Sequence, residues 1–317
     1  MQAVGIDLGG TNIKSALVDK QKGIIKQFSI PTEAEQGIDH VFDQLAKVIN
    51  QASGFAAEQV CGVGVGSPGT ISLDRKTVSY PPNLPGWEIE NLAERLHSLT
   101  GLETRVENDA NLAALGSNRF GAGLEFDNMI MLTLGTGVGG GIIINNELYR
   151  GTTGGAAELG HVIINFEGPK SQGKTRGSIE AYLGQRFLSR NASEKIIEHK
   201  DNPLYQKFVH DFSKLEPIDL YMEAKQGNEL AIEILSEAGR MLGYAIVNYI
   251  HVLDIRSIVV GGGVAKAGEF IFQPARDTVH EQLMPSFVEG FSLSYEELGN
   301  DAALLGAASL AFNYFGN

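Results

Sequence analysis

Three glycine-rich turns contain the residue types that chemistry on phosphate groups requires. They read DLGGTN from Asp7, LGTGVGGG from Leu134 and VGGGV from Val260. Phosphate oxygens bind closely spaced backbone N–H groups, which a Cβ atom would obstruct, and threonine hydroxyls add further donors. One glycine turn alone is more often an ordinary hairpin. Three of them, two of which lie in strand–turn–strand units, indicate phosphate binding.

These turns differ from two common nucleotide-binding motifs. The chain contains no GxxxxGK[ST] sequence. The glycines from Gly135 to Gly140 meet the GxGxxG spacing, but the β-rich run IIIN follows them instead of a helix. Both motifs require a strand–turn–helix setting, so the pattern disfavours a P-loop enzyme and a Rossmann dehydrogenase.

Two aspartates follow predicted strands and could take part in such chemistry. Asp7 ends the apolar run QAVGID, where a carboxylate is costly unless it is paired, and a metal ion would provide the partner. A turn-capping role for Asp7 is the alternative. Asp109, in ENDAN, precedes the helical pattern ANLAALG, and from these residues alone it could equally be the N-terminal cap of that helix.

The elements around these residues predict a mixed α/β protein. Residues 2–30 read as three strands joined by turns, and a helix with apolar residues at helical spacing follows them. The second half repeats this design with NMIMLTLG and VGGGIIIN, which suggests an internal duplication. The stretch ELAIEILSEAGRMLGYAIVNYIHVLD predicts one long buried helix.

Composition limits the classes of partner. A length of 317 residues suits two domains, and a net charge of −13 disfavours nucleic acid and anionic membranes as partners. The chain opens on MQAVGID without a signal-like segment, and its single cysteine, Cys61, agrees with a reducing compartment. We therefore expect a cytoplasmic protein that binds a small uncharged molecule.

The motifs DLGGTNIK, ENDAN, LGTGVGGG, ELGH and IVVGGGVA resemble those of the repressor/open-reading-frame/kinase (ROK) family, bacterial sugar kinases of the actin and hexokinase superfamily. The likeness covers nearly the whole chain. It implies two ribonuclease-H-like α/β domains with an interdomain cleft, the smaller formed by residues 1–110 and 301–317 and the larger by 111–300. We expect a homodimer. Because the first strand begins at residue 2, we expect no DNA-binding domain of the kind that repressor members carry.

The resemblance also assigns roles to individual residues. Asp109 matches the catalytic base of the family, and Asp7 should lie near the Mg²⁺ that accompanies ATP. The residues implied to hold ATP are Gly9, Gly10, Thr11, Asn12, Lys14, Gly135, Thr136, Gly137, Gly261, Gly262 and Gly263. The residues implied to hold the sugar are Gly69, Asn83, Asn108, Asp109, Glu158, His161 and Glu180.

The sequence departs from the family pattern between residues 161 and 180. Many members carry CxCGxxGCxE there, and its cysteines join the motif histidine to bind a structural zinc ion. This chain reads SQGKTRGSIE from Ser171 to Glu180, so Ser171, Gly173 and Ser178 stand where the thiolates would be. One histidine cannot hold a tetrahedral site, and we therefore expect no zinc.

The resemblance implies an ATP-dependent sugar kinase. Glucose, phosphorylated at its 6-hydroxyl, is the expected substrate. Mannose, fructose, allose, N-acetylglucosamine and N-acetylmannosamine remain alternatives, because epimers differ only in the placement of one hydroxyl. A non-catalytic sugar sensor is the alternative from another class, and the presence of Asp109 and of intact glycine turns disfavours it.

Overall fold

Apolar residues at alternate positions build the opening strand, Gln2–Leu8 (β1). Val4, Ile6 and Leu8 are buried on one face, while Ala3 is buried on the other. This alternation follows from the two-residue period of a strand, and it places apolar cores on both faces of the sheet.

The structure is a computed structural model that describes residues 1–172 and 175–316. Its further strands are β2 (Asn12–Asp19), β3 (Gly23–Pro31), β4 (Val63–Ser67), β5 (Thr70–Ile71), β6 (Val78–Ser79), β7 (Ile89–Glu90), β8 (Thr104–Asn108), β9 (Met129–Leu134), β10 (Val138–Ile144), β11 (Glu147–Leu148), β12 (Ser257–Gly261) and β13 (Ser292–Tyr295). Its α-helices are α1 (Ile38–Ser53), α2 (Leu92–Thr100), α3 (Asp109–Phe120), α4 (Glu180–Leu183), α5 (Gln185–Ile196), α6 (Pro203–Phe208), α7 (Pro217–Lys225), α8 (Glu229–Leu253), α9 (Glu269–Gln282), α10 (Pro285–Val288) and α11 (Asp301–Phe315).

The chain divides into two units. The first unit comprises Met1–Asn128, Gly141–Ala157 and Glu297–Asn317, and the second comprises Met129–Gly140 and Glu158–Glu296. The domain limits expected from the sequence, at residues 110 and 300, stay a prediction.

The first unit is built on a five-stranded sheet in the order β3-β2-β1-β4-β8. Strands β1, β2 and β3 pair antiparallel, whereas β1, β4 and β8 run parallel. Helix α1 covers one face of this sheet, and α11 covers the other. The small antiparallel sheet β5-β6-β7 belongs to the same unit.

The second five-stranded sheet has the order β11-β10-β9-β12-β13, and its strands β9, β12 and β13 and the first residues of β10, up to Gly140, belong to the second unit. Strands β9, β12 and β13 run parallel, as β1, β4 and β8 do in the first sheet. The order β10-β9-β12-β13 therefore repeats the order β2-β1-β4-β8. This agrees with the predicted duplication. The long helix predicted from the sequence is α8, which packs against α9.

Among the residues that the structure describes, no helix combines the length and the hydropathy that crossing a bilayer requires.

Candidate active site

The carboxyl ends of three parallel strands gather the predicted site residues of the first unit. The register aligns Asp7 of β1 with Gly66 of β4, and Gly66 with Glu107 of β8. Asn108 and Asp109 follow Glu107 directly. In open parallel sheets, ligands bind outside the carboxyl ends of the strands, so this edge is the candidate site of the unit.

Asp109 is the first residue of α3, and it is not the cap of that helix. The cap is Asn108, whose side-chain oxygen accepts hydrogen bonds from the N–H groups of Ala110 and Asn111. The alternative in which Asp109 is the N-terminal cap is therefore wrong. Burial raises the pKa of the Asp109 carboxyl, and a hydrogen bond from Ala110 N–H partly opposes this effect.

Asp7 lies opposite Lys14 on the neighbouring strand. Burial raises the pKa of Asp7, the charge of Lys14 lowers it, and the charge of Asp109 adds to the increase. The turn that follows is closed without Asp7, since Gly9 N–H donates to the Asn12 carbonyl and the Thr32 hydroxyl donates to the Gly9 carbonyl. The Asp7 carboxylate is buried beside the Asp109 carboxylate, and a cation that binds together with a ligand would stabilise both negative charges.

The raised pKa of Asp109 predicts how the stability of the ligand-free protein depends on pH. Ionisation of this carboxyl costs more in the folded state than in the unfolded state, so Asp109→Asn should stabilise the protein at neutral pH. The gain should shrink as the pH falls through the folded-state pKa and vanish below the pKa of an exposed aspartate, about 3.9. Urea unfolding, followed by the fluorescence of the buried Trp87, measures the effect.

Asp74→Asn is the control of opposite sign. A hydrogen bond from the Ser72 hydroxyl lowers the pKa of the exposed Asp74, so this substitution should lower stability at neutral pH. A loss of stability in Asp109→Asn at neutral pH would contradict the prediction.

Two loop residues predicted to contact the sugar lie in the same unit. Asn83 packs against the first glycine turn, because a Cβ atom on Gly10 would come within 2.8 Å of the Asn83 Cβ. Gly69 precedes β5 with a φ of 94°, and a Cβ atom there would come within 3.0 Å of the Pro81 Cα. Only glycine combines this left-handed backbone with such close packing.

The two glycine turns of the second unit follow neighbouring parallel strands. Gly135 to Gly137 form a tight turn after β9, which is closed by a hydrogen bond of 2.9 Å from Gly135 N–H to the Gly137 carbonyl. Gly262 lies against this strand end, since a Cβ atom there would come within 2.4 Å of the Leu134 carbonyl. Around Gly135 and Gly263 such an atom would meet nothing within 4 Å, so the backbone is open to a ligand.

The remaining predicted residues of the second unit meet at Val138. The Glu180 carboxylate accepts a hydrogen bond of 3.2 Å from Val138 N–H, and Gly160 packs on the Val138 carbonyl. Glu158 and His161 flank Gly160, and both are exposed, with 3.8 Å between Glu158 Oε2 and His161 Nε2. The structure therefore brings Glu180 and the segment from Glu158 to His161 to Val138, the residue that follows the turn Gly135–Gly137.

The segment that departs from the family pattern contains no metal-binding cluster in its described part. Across residues 1–172 and 175–316, no three His, Cys, Asp or Glu side chains form a group that could hold a metal ion. Ser178 lies in an isolated β-bridge with Ile163, and Ser171 N–H donates to the Thr175 carbonyl. Gly173 lies outside the described residues.

A buried charged cluster that the sequence did not predict lies beside Asp109. Glu107 is fully buried and forms ion pairs with Arg75 and Arg150, which are each less than 10% exposed. In the sequence, Glu107 is only the first residue of the motif ENDAN. Its arginine partners come from distant segments and could not be inferred.

The architecture and the two sets of glycine turns define a mixed α/β protein of the actin and hexokinase superfamily, which confirms the predicted fold class. The chain matches the ROK family over residues 3–313, and it belongs to that family. It is 36% identical to the glucokinase of Thermotoga maritima over 98% of this chain and 97% of that protein.

A solved structure is similar over the same length. The ROK family glucokinase from Streptomyces griseus, in complex with glucose and AMPPNP, superposes with a TM-score of 0.82 at 33% identity, and covers 99% of this chain and 100% of that one. The xylose repressor of Bacillus subtilis is 27% identical over 99% of this chain and 77% of its own length.

Proposed function

We propose that the protein is an ATP-dependent hexokinase that phosphorylates glucose at its 6-hydroxyl, with Asp109 as the general base. The observation that carries this proposal is the state of Asp109. Its carboxylate is desolvated, lies beside Asp7 at the carboxyl ends of parallel strands, and is not needed as a helix cap. The similarity to two glucokinases supports a hexose as the substrate.

The chemistry follows from what a carboxylate can do at this position. Asp109 accepts the proton of the sugar hydroxyl as the oxygen forms a bond to the γ-phosphorus, and ADP leaves as the bond to the bridging oxygen breaks. A raised pKa brings a carboxylate closer to the operating pH and makes it a better proton acceptor. Asn108, whose oxygen is engaged in capping, keeps its NH₂ group for a sugar hydroxyl.

Asp7 would hold Mg²⁺ through the phosphates of ATP. When bound, the ion neutralises charge on those phosphates. The groups proposed to hold the phosphates are the backbone of Gly9 and Gly10, the side chains of Thr11, Asn12 and Lys14, and the turn Gly135–Thr136–Gly137. The turn from Gly261 to Gly263 is proposed to hold the adenosine.

The sugar hydroxyls require partners that can accept and donate hydrogen bonds. Glu158 and His161 are exposed and available to a ligand, and Glu180 has one carboxylate oxygen on Val138 N–H and a second one for a hydroxyl. Gly69 and Asn83 supply backbone and amide groups in the first unit.

An ADP-release assay over a panel of sugars tests the proposal. We expect the highest kcat/KM for glucose among glucose, mannose, fructose, allose, N-acetylglucosamine and N-acetylmannosamine. A higher kcat/KM for another sugar would identify that sugar as the substrate instead of glucose, and the proposed kinase activity would stand. Sugar binding by calorimetry without ADP release would support a non-catalytic sensor, the alternative that the similarity to a xylose repressor raises.

We propose that the enzyme works without a structural zinc ion. Protein purified without added metal should contain far less than one zinc per chain by elemental analysis, because Ser171, Gly173 and Ser178 stand where the family pattern has its thiolates. Chelators should leave its activity intact in excess Mg²⁺. Stoichiometric zinc together with a melting temperature that chelators lower would contradict this, since structural zinc contributes folding energy.

We also propose that the protein is cytoplasmic and forms a homodimer. Light scattering after size exclusion distinguishes a dimer of about twice 34.1 kDa from a monomer.

A further inference from the structure

Glu107 connects the start of α3 to a second segment of the first unit. Its Oε1 accepts hydrogen bonds of 3.0 Å from Asn108 N–H and 3.2 Å from Asn111 Nδ2. Its Oε2 accepts a hydrogen bond of 3.0 Å from Arg75 Nε and lies 2.7 Å from Arg150 Nε. Each carboxylate oxygen therefore holds a different part of the chain, and the side chain is fully buried.

Arg150 extends this connection to the hairpin that begins after Gly69. Its guanidinium donates to the carbonyls of Ile71, Ser72 and Leu73 over distances of 2.9–3.2 Å. A guanidinium presents several donors in a rigid plane, so it fixes these three carbonyls as one unit. Gly154 makes this approach possible, because a Cβ atom there would come within 2.4 Å of the Ile71 carbonyl.

Arg75 secures the other side of the same hairpin. Its backbone carbonyl accepts a hydrogen bond of 2.8 Å from Val106 N–H on β8, and its Nη1 donates to the Tyr314 hydroxyl on α11. The hairpin is thus attached to strand β8 one residue before Glu107. Two arginines around one carboxylate leave the buried cluster with an excess positive charge, so Glu107 is required to keep both in place.

We propose that Glu107 is a positioning residue that fixes Asn108 and Asp109 relative to Gly69 and thereby sets the affinity for the hexose. This inference rests on the proposed function, in which Asn108, Asp109 and Gly69 contact the sugar. The hydrogen bonds of Glu107 and Arg150 end on residues 71–73, 75, 108 and 111, and none of these belongs to a glycine turn. Loss of the cluster should therefore act on the hexose and spare ATP.

Glu107→Gln tests the arginine side selectively. The glutamine oxygen can still accept from Asn108 and Asn111, whereas its NH₂ group faces two guanidinium groups and can accept from neither. We expect kcat/KM for the hexose to fall about 10²-fold, mainly through a higher KM, since a displacement on the order of 1 Å costs this much. We expect KM for ATP to change by less than about twofold, because uniform binding of ATP is untouched.

Arg150→Lys is the second variant, for use if the first does not fold. It keeps the positive charge beside Glu107 but loses the planar group that holds three carbonyls. It should raise KM for the hexose while leaving KM for ATP within about twofold of the wild-type value. Glu103→Gln is the matched control, because it removes an exposed carboxylate just before β8, and both constants should stay at wild-type values.

A change in KM for the hexose without a change in KM for ATP distinguishes a positioning role of Glu107 from a purely structural one. A purely structural role would reduce the active fraction and lower kcat, with neither KM changed. Wild-type values of KM for the hexose, measured on the active fraction of each variant that folds, would overturn the inference and leave the proposed function intact. If the wild-type protein phosphorylates no hexose, the proposed function fails, and the inference fails with it.

Discussion

Asp109→Asn should lower kcat for hexose phosphorylation about 10²- to 10⁴-fold, which is the usual cost of removing a general base. Asparagine has nearly the same volume and can still accept the hydrogen bond from Ala110 N–H, but it cannot accept the proton of the sugar hydroxyl. Substrate binding should survive, because the cap of α3 is Asn108 and stays in place. Steady-state kinetics give kcat, and calorimetry gives the affinity for the hexose.

The control is Glu103→Gln, which removes an exposed carboxylate from the same unit and should leave kcat unchanged. Turnover near the wild-type value in Asp109→Asn would show that another group takes the proton. A variant that loses hexose affinity as well as turnover would show instead that Asp109 contributes to binding the ground state.

The identity of the helix cap shows where reading the sequence reaches its limit. Asn and Asp are both favoured caps, so the motif ENDAN allows α3 to begin after either residue. The backbone decides, because Asn108 is extended with a ψ of 142° and only Asp109 is helical. If α3 began one residue later, Asp109 would be its cap and its carboxylate would be engaged in that role. Because α3 begins at Asp109, this carboxylate is available for chemistry.

Periodic elements were predictable because their signal is local. The apolar spacing of α8 continues over 25 residues, and the alternation in β1 is fixed by two buried faces. The glycine turns carry their own chemical signature. The cluster around Glu107 has no such signal, since Arg75, Glu107 and Arg150 come from three separate segments, and their meeting depends on the completed sheet.

The packing of α11 on α3 was equally beyond the sequence. Their backbones touch because glycines face each other across the crossing. A Cβ atom on Gly306 would lie 1.8 Å from the Leu112 carbonyl oxygen, and one on Gly116 would lie 1.9 Å from the Ala302 carbonyl oxygen. In a sequence, a glycine within a helical pattern indicates only a loss of propensity. Here it sets how closely the helix that begins with Asp109 is held.

Gly306→Ala should therefore destabilise the protein, although alanine is the better helix former. Alanine gains about 1 kcal/mol in helix propensity, but the overpacking costs about 3 kcal/mol, because the opposing atoms are backbone atoms that cannot rotate away. We expect a net loss of about 2 kcal/mol in the free energy of unfolding, measured by urea titration with Trp87 fluorescence. Asn313→Ala, at an exposed position of the same helix, isolates the contribution of helix propensity and should be neutral or slightly stabilising.

Because the displaced α3 carries Asp109 at its first turn, kcat measured on the folded fraction of Gly306→Ala should also fall. Stability and turnover equal to those of Asn313→Ala would show that α11 can move away without disturbing α3.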